Sequence, residues 1–152
     1  TVIEIFEEKL SDSNETPEIK AKNAISFIDF HPEIKRACVE LFNDGHYANA
    51  VEDACKVLDA LVKMRSMRSD LSGTDLMLQV FSPKGPILKF NKLESESEKS
   101  EQQGLMYLYA GTMLALRNPR AHGLIDDHPD RAVEYLSFIN MLAKMLDIAV
   151  RE

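Results

Sequence analysis

Apolar residues recur along most of this chain at three- and four-residue intervals, the period of a helix with one buried face. The clearest stretch runs from Tyr47 to about Met64. Tyr47, Val51, Ala54, Leu58 and Leu61 fall on one face, while Asn49, Glu52, Asp53, Lys56, Asp59 and Lys63 are polar. Glu52–Lys56 and Asp59–Lys63 sit at the four-residue spacing that supports a helix, and the plain reading of these charges is a solvated face. Before this stretch, His31-Pro32-Glu33 opens a helix with the stripe Ile34, Ala37, Cys38, Leu41 and Phe42, closed by Gly45. Thr16-Pro17-Glu18 opens an earlier one with a capping hydroxyl, a proline at the first helical position and an acid at the positive end of the dipole. That helix is expected to reach about Asp29. Thr1 to Leu10 alternates apolar and acidic residues and reads as a short helix, with Ser11 to Glu15 as a linker.

The second half follows the same logic. Thr74 is expected to cap a short helix to Phe81. Ser82 to Leu93 holds Pro83, Gly85 and Pro86 and reads as irregular or extended. A polar run, Glu94 to Glu101, precedes a helix from Glu101 to about Asn118, with Ser100 and Gln103 as a capping box. That helix is apolar on most sides, so it must be covered on most sides. Gly104 and Gly111 share a face, and close approach of another helix, at Ala50 and Ala54, would compensate their low helix propensity. His128-Pro129-Asp130 opens a last helix to about Arg151. There Phe138, Met141, Leu142 and Met145 widen the apolar arc beyond one core contact, which points to dimerisation. Strand signals are nearly absent. The predicted fold is all-α, a mostly antiparallel helical bundle with residues 1–30 as accessory N-terminal helices or linker and residues 31–152 as the helical domain.

A chain of 152 residues is long enough for one domain with a substantial core. Apolar content of 45% and charged content of 28% exclude a disordered chain, and no apolar run approaches a membrane span. Cys38 and Cys55 lie inside helical patterns without metal-ligand spacing, which fits two core thiols in a reducing, cytoplasmic setting. No basic-then-apolar secretory pattern opens the chain. A net charge of −7 argues against nucleic-acid binding through the whole surface and restricts it to local positive ground. Lys63, Arg65 and Arg68, and the loop lysines Lys84, Lys89 and Lys92, are candidates to extend such ground.

One stretch gathers chemistry: Arg117-Asn118-Pro119-Arg120-Ala121-His122-Gly123. Pro119 lacks an N–H and disfavours helical geometry at Asn118, so the sequence predicts a helix end there. Such a break, with Gly123 free in its dihedrals, would turn Arg117 and His122 toward one point. A permanently charged planar donor beside a group that titrates near neutrality suits phosphate chemistry.

These residues also carry a resemblance. An arginine followed by a polar residue and, five positions on, by a histidine resembles the signature of HEPN ribonucleases. His31-Pro32-Glu33-Ile34, Leu41 to Tyr47, Leu76-Met77 with Phe81, and Gly104 to Leu108 join it, and together they resemble the bacterial Ymh-like branch from about His31 onward. The resemblance implies a four-helix core and a metal-independent endoribonuclease without cofactor. It implies two motif copies meeting across a homodimer cleft, and a role in toxin–antitoxin or antiphage defence systems with an antitoxin or activating partner protein. In such a reaction the 2′-hydroxyl of RNA attacks the adjacent phosphate. His122 would move protons, Arg117 would hold the phosphate, and Asn118 would bond to the substrate or position the other two. Arg120 would be a substrate-binding charge. Glu52, Asp53 or Asp59 would orient the arginine or histidine.

Two other readings stand beside this one. The same dimer could bind nucleotide, RNA or a partner without catalysis. Alternatively His122, Asp126, Asp127 and His128 could hold a metal, though their spacing resembles no common site and Asp127 or His128 suits a helix cap. His31 and His46 stand at helix starts, where local capping is the expected role.

Overall fold

Helix α3 (Tyr47–Ser66) has an unusually complete buried stripe, and the other helices assemble around it. Ala50, Val51, Ala54, Cys55, Leu58 and Val62 are fully buried along it. The computed structural model describes residues 1–4, 15–123 and 125–152. Residues 2–4 are helical; the rest of the expected first helix and the linker from Ser11 to Asn14 lie outside the described residues.

Helix α1 (Pro17–Ser26) is capped by the Thr16 hydroxyl, which accepts the Ile19 N–H. It buries Ala21 and Ile25 and packs on α7 (Pro129–Met145), so it belongs to the common core. Asn140 of α7 fixes its exit: Oδ1 accepts the His31 N–H at 2.7 Å and Nδ2 donates to the Asp29 carbonyl at 3.0 Å. Helix α2 (Pro32–Asn43) begins at His31, whose Nδ1 accepts the Glu33 N–H at 3.1 Å. A short turn through Gly45, held at φ 85°, then leads into α3, which packs on α2 and α7.

Met67 ends α3 in the left-handed region at φ 57°. Helix α4 (Gly73–Phe81) follows, with Ser72 at the cap position where the sequence pointed to Thr74. The loop after it contributes a two-residue strand, β1 (Leu88–Lys89). Buried Gln102 anchors that loop. Its Nε2 donates to the carbonyls of Phe81 and Leu88, each at 3.0 Å, and its Oε1 accepts the Phe90 N–H at 3.0 Å. The rings of Phe90, Phe81 and Tyr109 stack in sequence, 5.4 and 4.4 Å apart.

Helix α5 (Glu96–Gly111) starts five residues earlier than the sequence pattern indicated. The capping box is Ser95 with Glu98, not Ser100 with Gln103. Ser95 lies two residues after a loop residue of positive φ, Leu93 at 56°, and so stands where the chain turns into the helix. The last helix, α7, ends at Met145, short of the expected Arg151. A 3₁₀ turn (Leu146–Ile148) follows, and β2 (Val150–Arg151) pairs antiparallel with β1. Apart from this pair the described elements are helical, so the chain is all-α in class. No described helix is long and apolar enough to cross a membrane.

The expected helix break at Pro119 does not occur. Helix α5 widens into a π-helical segment (Thr112–Arg117), which runs straight into α6 (Asn118–Ala121). In a regular α-helix the proline ring crowds the carbonyl four residues back. Here the Asn118 N–H reaches back five residues, to Met113, and the wide turn opens the ladder at that point. The chain leaves helical geometry at the C-cap His122, φ −89° and ψ 0°, and turns at Gly123, φ 69°, whose N–H bonds the Arg120 carbonyl at 3.0 Å.

Candidate functional site

Because the helix is continuous through Pro119, Asn118 and His122 are four residues apart on one face. Both are exposed, and among the described residues neither side chain has a hydrogen-bond partner. Arg117 stands one residue before that face, at the end of the π segment. The convergence expected from a broken helix is therefore replaced by a helical stripe of two side chains with the arginine beside it.

The two arginines of the motif have opposite fates. Arg120 is 5% exposed. Its Nε and Nη2 grip both carboxylate oxygens of Asp127, at 2.7 and 2.5 Å, and its Nη1 donates to the Leu116 carbonyl at 3.0 Å. The Tyr135 ring covers the guanidinium at 4.8 Å. Each of the three guanidinium nitrogens is engaged, so Arg120 ties α6 to the turn before α7. A free substrate-binding charge, the role expected of Arg120, is not what this geometry presents.

Arg117 is held loosely by comparison. Its Nη1 lies 3.6 Å from Asp59 Oδ1 and 4.0 Å from the Met113 sulfur, beyond the range of a strong charge-assisted bond. Of the three acids considered, Asp59 is the one that faces the arginine: it belongs to α3 and its side chain is 5% exposed. Its own position is fixed elsewhere, since Oδ1 accepts the Gly73 N–H at 2.6 Å. Glu52 and Asp53 instead pair with Lys56 on the helix surface. Lys63 stands 3.3 Å from the second oxygen of Asp59.

Of the other basic residues considered, Arg65 donates to the Ala149 carbonyl, Arg68 is forked onto Asp70, and Lys89 pairs with Glu152. The alternative metal set is spent on other work. Asp127 belongs to Arg120, and His128 caps α7 by accepting the Asp130 N–H through Nδ1. Among the described residues no three histidine, cysteine or acidic side chains group as metal ligands. His46 sits at the start of α3 without a side-chain cap bond. It lines a cleft of about 380 Å³ with Asn49, Gly123 and Asp126, next to the motif.

Cys55 lies close enough to both motif arginines for their charges to act on its thiol. Burial outweighs them and pushes that thiol up to about 12. It is a neutral core group, as is Cys38, raised to about 12 chiefly by burial and then by Asp53.

Neither curated proteins nor solved structures gave a match to this chain. A family model described as "Protein of unknown function (Hypoth_ymh)" matches residues 28–146, from the α1–α2 connection through the last helix. The match spans α2, α3, the π segment and the arginine–histidine stripe, and the chain belongs to the Hypoth_ymh family.

Proposed function

We propose that this protein is a metal-independent endoribonuclease of HEPN type that works as a homodimer, in a toxin–antitoxin or antiphage defence setting. The observation that carries the reading is the state of Arg117. A buried carboxylate aims it, yet its donors are not consumed, and Asn118 and His122 stand exposed beside it on one helix. In the proposed reaction Arg117 binds a non-bridging phosphoryl oxygen and stabilises the charge that builds there. Neutral His122 accepts the 2′-hydroxyl proton, and as an acid it returns a proton to the departing 5′ oxygen. Asn118 bonds to the substrate. The products are a 2′,3′-cyclic phosphate and a 5′-hydroxyl, and DNA, which has no 2′-hydroxyl, is not cut.

The homodimer reading draws on the apolar face that leads into the motif. Tyr107, Leu108, Leu114 and Met141 are 58, 42, 56 and 45% exposed, and the first two line a groove of about 350 Å³ with Gly111, Ala115 and Phe138. The close helix approach expected at Gly104 and Gly111 does not come from Ala50 and Ala54, for a Cβ at either glycine meets nothing within 4 Å. Each glycine costs about 1 kcal/mol in a helix, so the open space beside them needs another explanation. A second copy packed on this face would bring two motif stripes together.

A non-catalytic binding module is the second reading. It is favoured by one fact: no described residue orients the His122 imidazole within the single chain. His122→Ala separates the two readings. An enzyme loses cleavage and keeps RNA binding, whereas a binding module shows no cleavage before or after the change.

A further inference from the structure

Asp59 carries one negative charge and faces two cations. Arg117 Nη1 is 3.6 Å from one oxygen and Lys63 Nζ is 3.3 Å from the other. Neither contact has a short, well-aligned hydrogen bond; the short bond of this carboxylate is the 2.6 Å one from the Gly73 N–H. The acid is nearly enclosed, with its side chain 5% exposed, while those of Lys63 and Arg117 are 35% and 26% exposed. The buried charge thus lies beneath and the two cations lie toward solvent. One positive charge is left uncompensated, in a protein whose net charge is −7. Arg65, Arg68 and Arg120 are each spent on another partner, whereas Lys63 shares the Asp59 carboxylate with Arg117.

We infer that Lys63 is a substrate-binding residue, and that it and Arg117 form a two-cation cradle for the phosphate backbone of a single-stranded polynucleotide. The inference rests on the proposed function and adds a residue from α3 to a site otherwise confined to the motif helix. The chemistry suits a division of labour. Arg117 offers a planar fork for the reacting phosphate, and Lys63 offers a compact point charge on a flexible stem that follows the backbone without reading bases. Asp59 keeps the two cations from repelling each other apart. An incoming phosphate can then draw both toward itself without a large rearrangement.

The test is binding of a fluorescent single-stranded RNA to the His122→Ala protein in EDTA over a series of salt concentrations, with and without Lys63→Gln. Loss of one phosphate contact weakens binding to all RNA sequences alike. It also lowers the slope of log affinity against log salt by about 0.7. Lys63→Arg should restore both. If Lys63→Gln leaves slope and affinity unchanged while Arg117→Ala loses binding, the role of Lys63 is wrong and the site reading stands. If the His122→Ala parent and the wild type bind no RNA at all, both fall.

Discussion

Asp59 and Arg117, 58 positions apart in sequence, face each other at 3.6 Å, and the acid is the buried partner. The pair links the central helix to the motif helix, and through the Gly73 N–H it also links to the start of α4. Asp59→Asn keeps an oxygen for Gly73 but removes the charge that aims Arg117. The melting temperature should change little, while cleavage of RNA should fall by about 10²-fold, the usual consequence of a misplaced catalytic group. Unchanged cleavage kinetics would show that Arg117 needs no such guide.

Arg120 is expected to matter for stability above all. Its removal strands the Asp127 carboxylate, which is 4% exposed. Arg120→Ala should cost about 3–5 kcal/mol in urea denaturation, and replacing both partners with apolar residues should recover much of that. A loss below 1 kcal/mol would contradict the assignment of the pair as an internal tie.

Pro119 is compatible with the continuous helix, so Pro119→Ala should leave the helical circular dichroism intact. Stability should move by no more than about 1 kcal/mol. A large rise in helical signal would mean that the proline does break the helix in solution.

The dimer face offers a separate check. Leu114 is 56% exposed, so Leu114→Glu should not disturb the single-chain fold. Sedimentation should show a dimer for the wild type and a monomer for the variant, with cleavage lost alongside. A wild type that sediments as a monomer at all concentrations would remove the two-copy site.

The thiols of Cys38 and Cys55 are both pushed up from an ordinary 9.0 to about 12. In the folded chain they stay protonated, whereas in the unfolded chain they ionise above 9.0. Their contribution to stability is therefore complete below pH 9 and is lost as pH rises toward 12. Denaturation midpoints should fall over that window. Ellman's reagent should react slowly with the native protein and fully in denaturant; rapid native labelling of either cysteine would contradict the burial.

Helices with a strong stripe or a capping signal were legible in the sequence. Thr16-Pro17, His31-Pro32 and His128-Pro129 each open a helix where local chemistry alone determines it. Elements set by long-range contacts were not. The start of α5 depends on Ser95 and Glu98 closing a box after a loop that Gln102 anchors from inside the core. The end of α7 depends on β2 pairing with β1, some 60 residues earlier in the chain. The motif could be located by residue type, but Pro119 was misleading because a π turn accommodates it. Nor does spacing distinguish Arg120, locked onto Asp127, from Arg117, which is left available: that difference appears only when α3 and the turn before α7 are brought alongside. The Asp59–Lys63 pair was visible as a helix-supporting spacing, but the arginine that approaches it from another helix was not.

In the proposed reaction Arg117 and His122 cut RNA without a metal. The most direct measurement is cleavage of a mixed RNA pool in EDTA by the wild type, Arg117→Ala and His122→Ala, each first shown to be folded, with analysis of the product ends. Cleavage by the wild type alone, leaving 2′,3′-cyclic phosphates, is the expected result. Equal cleavage by all three proteins, or cleavage that requires an added metal, would contradict it.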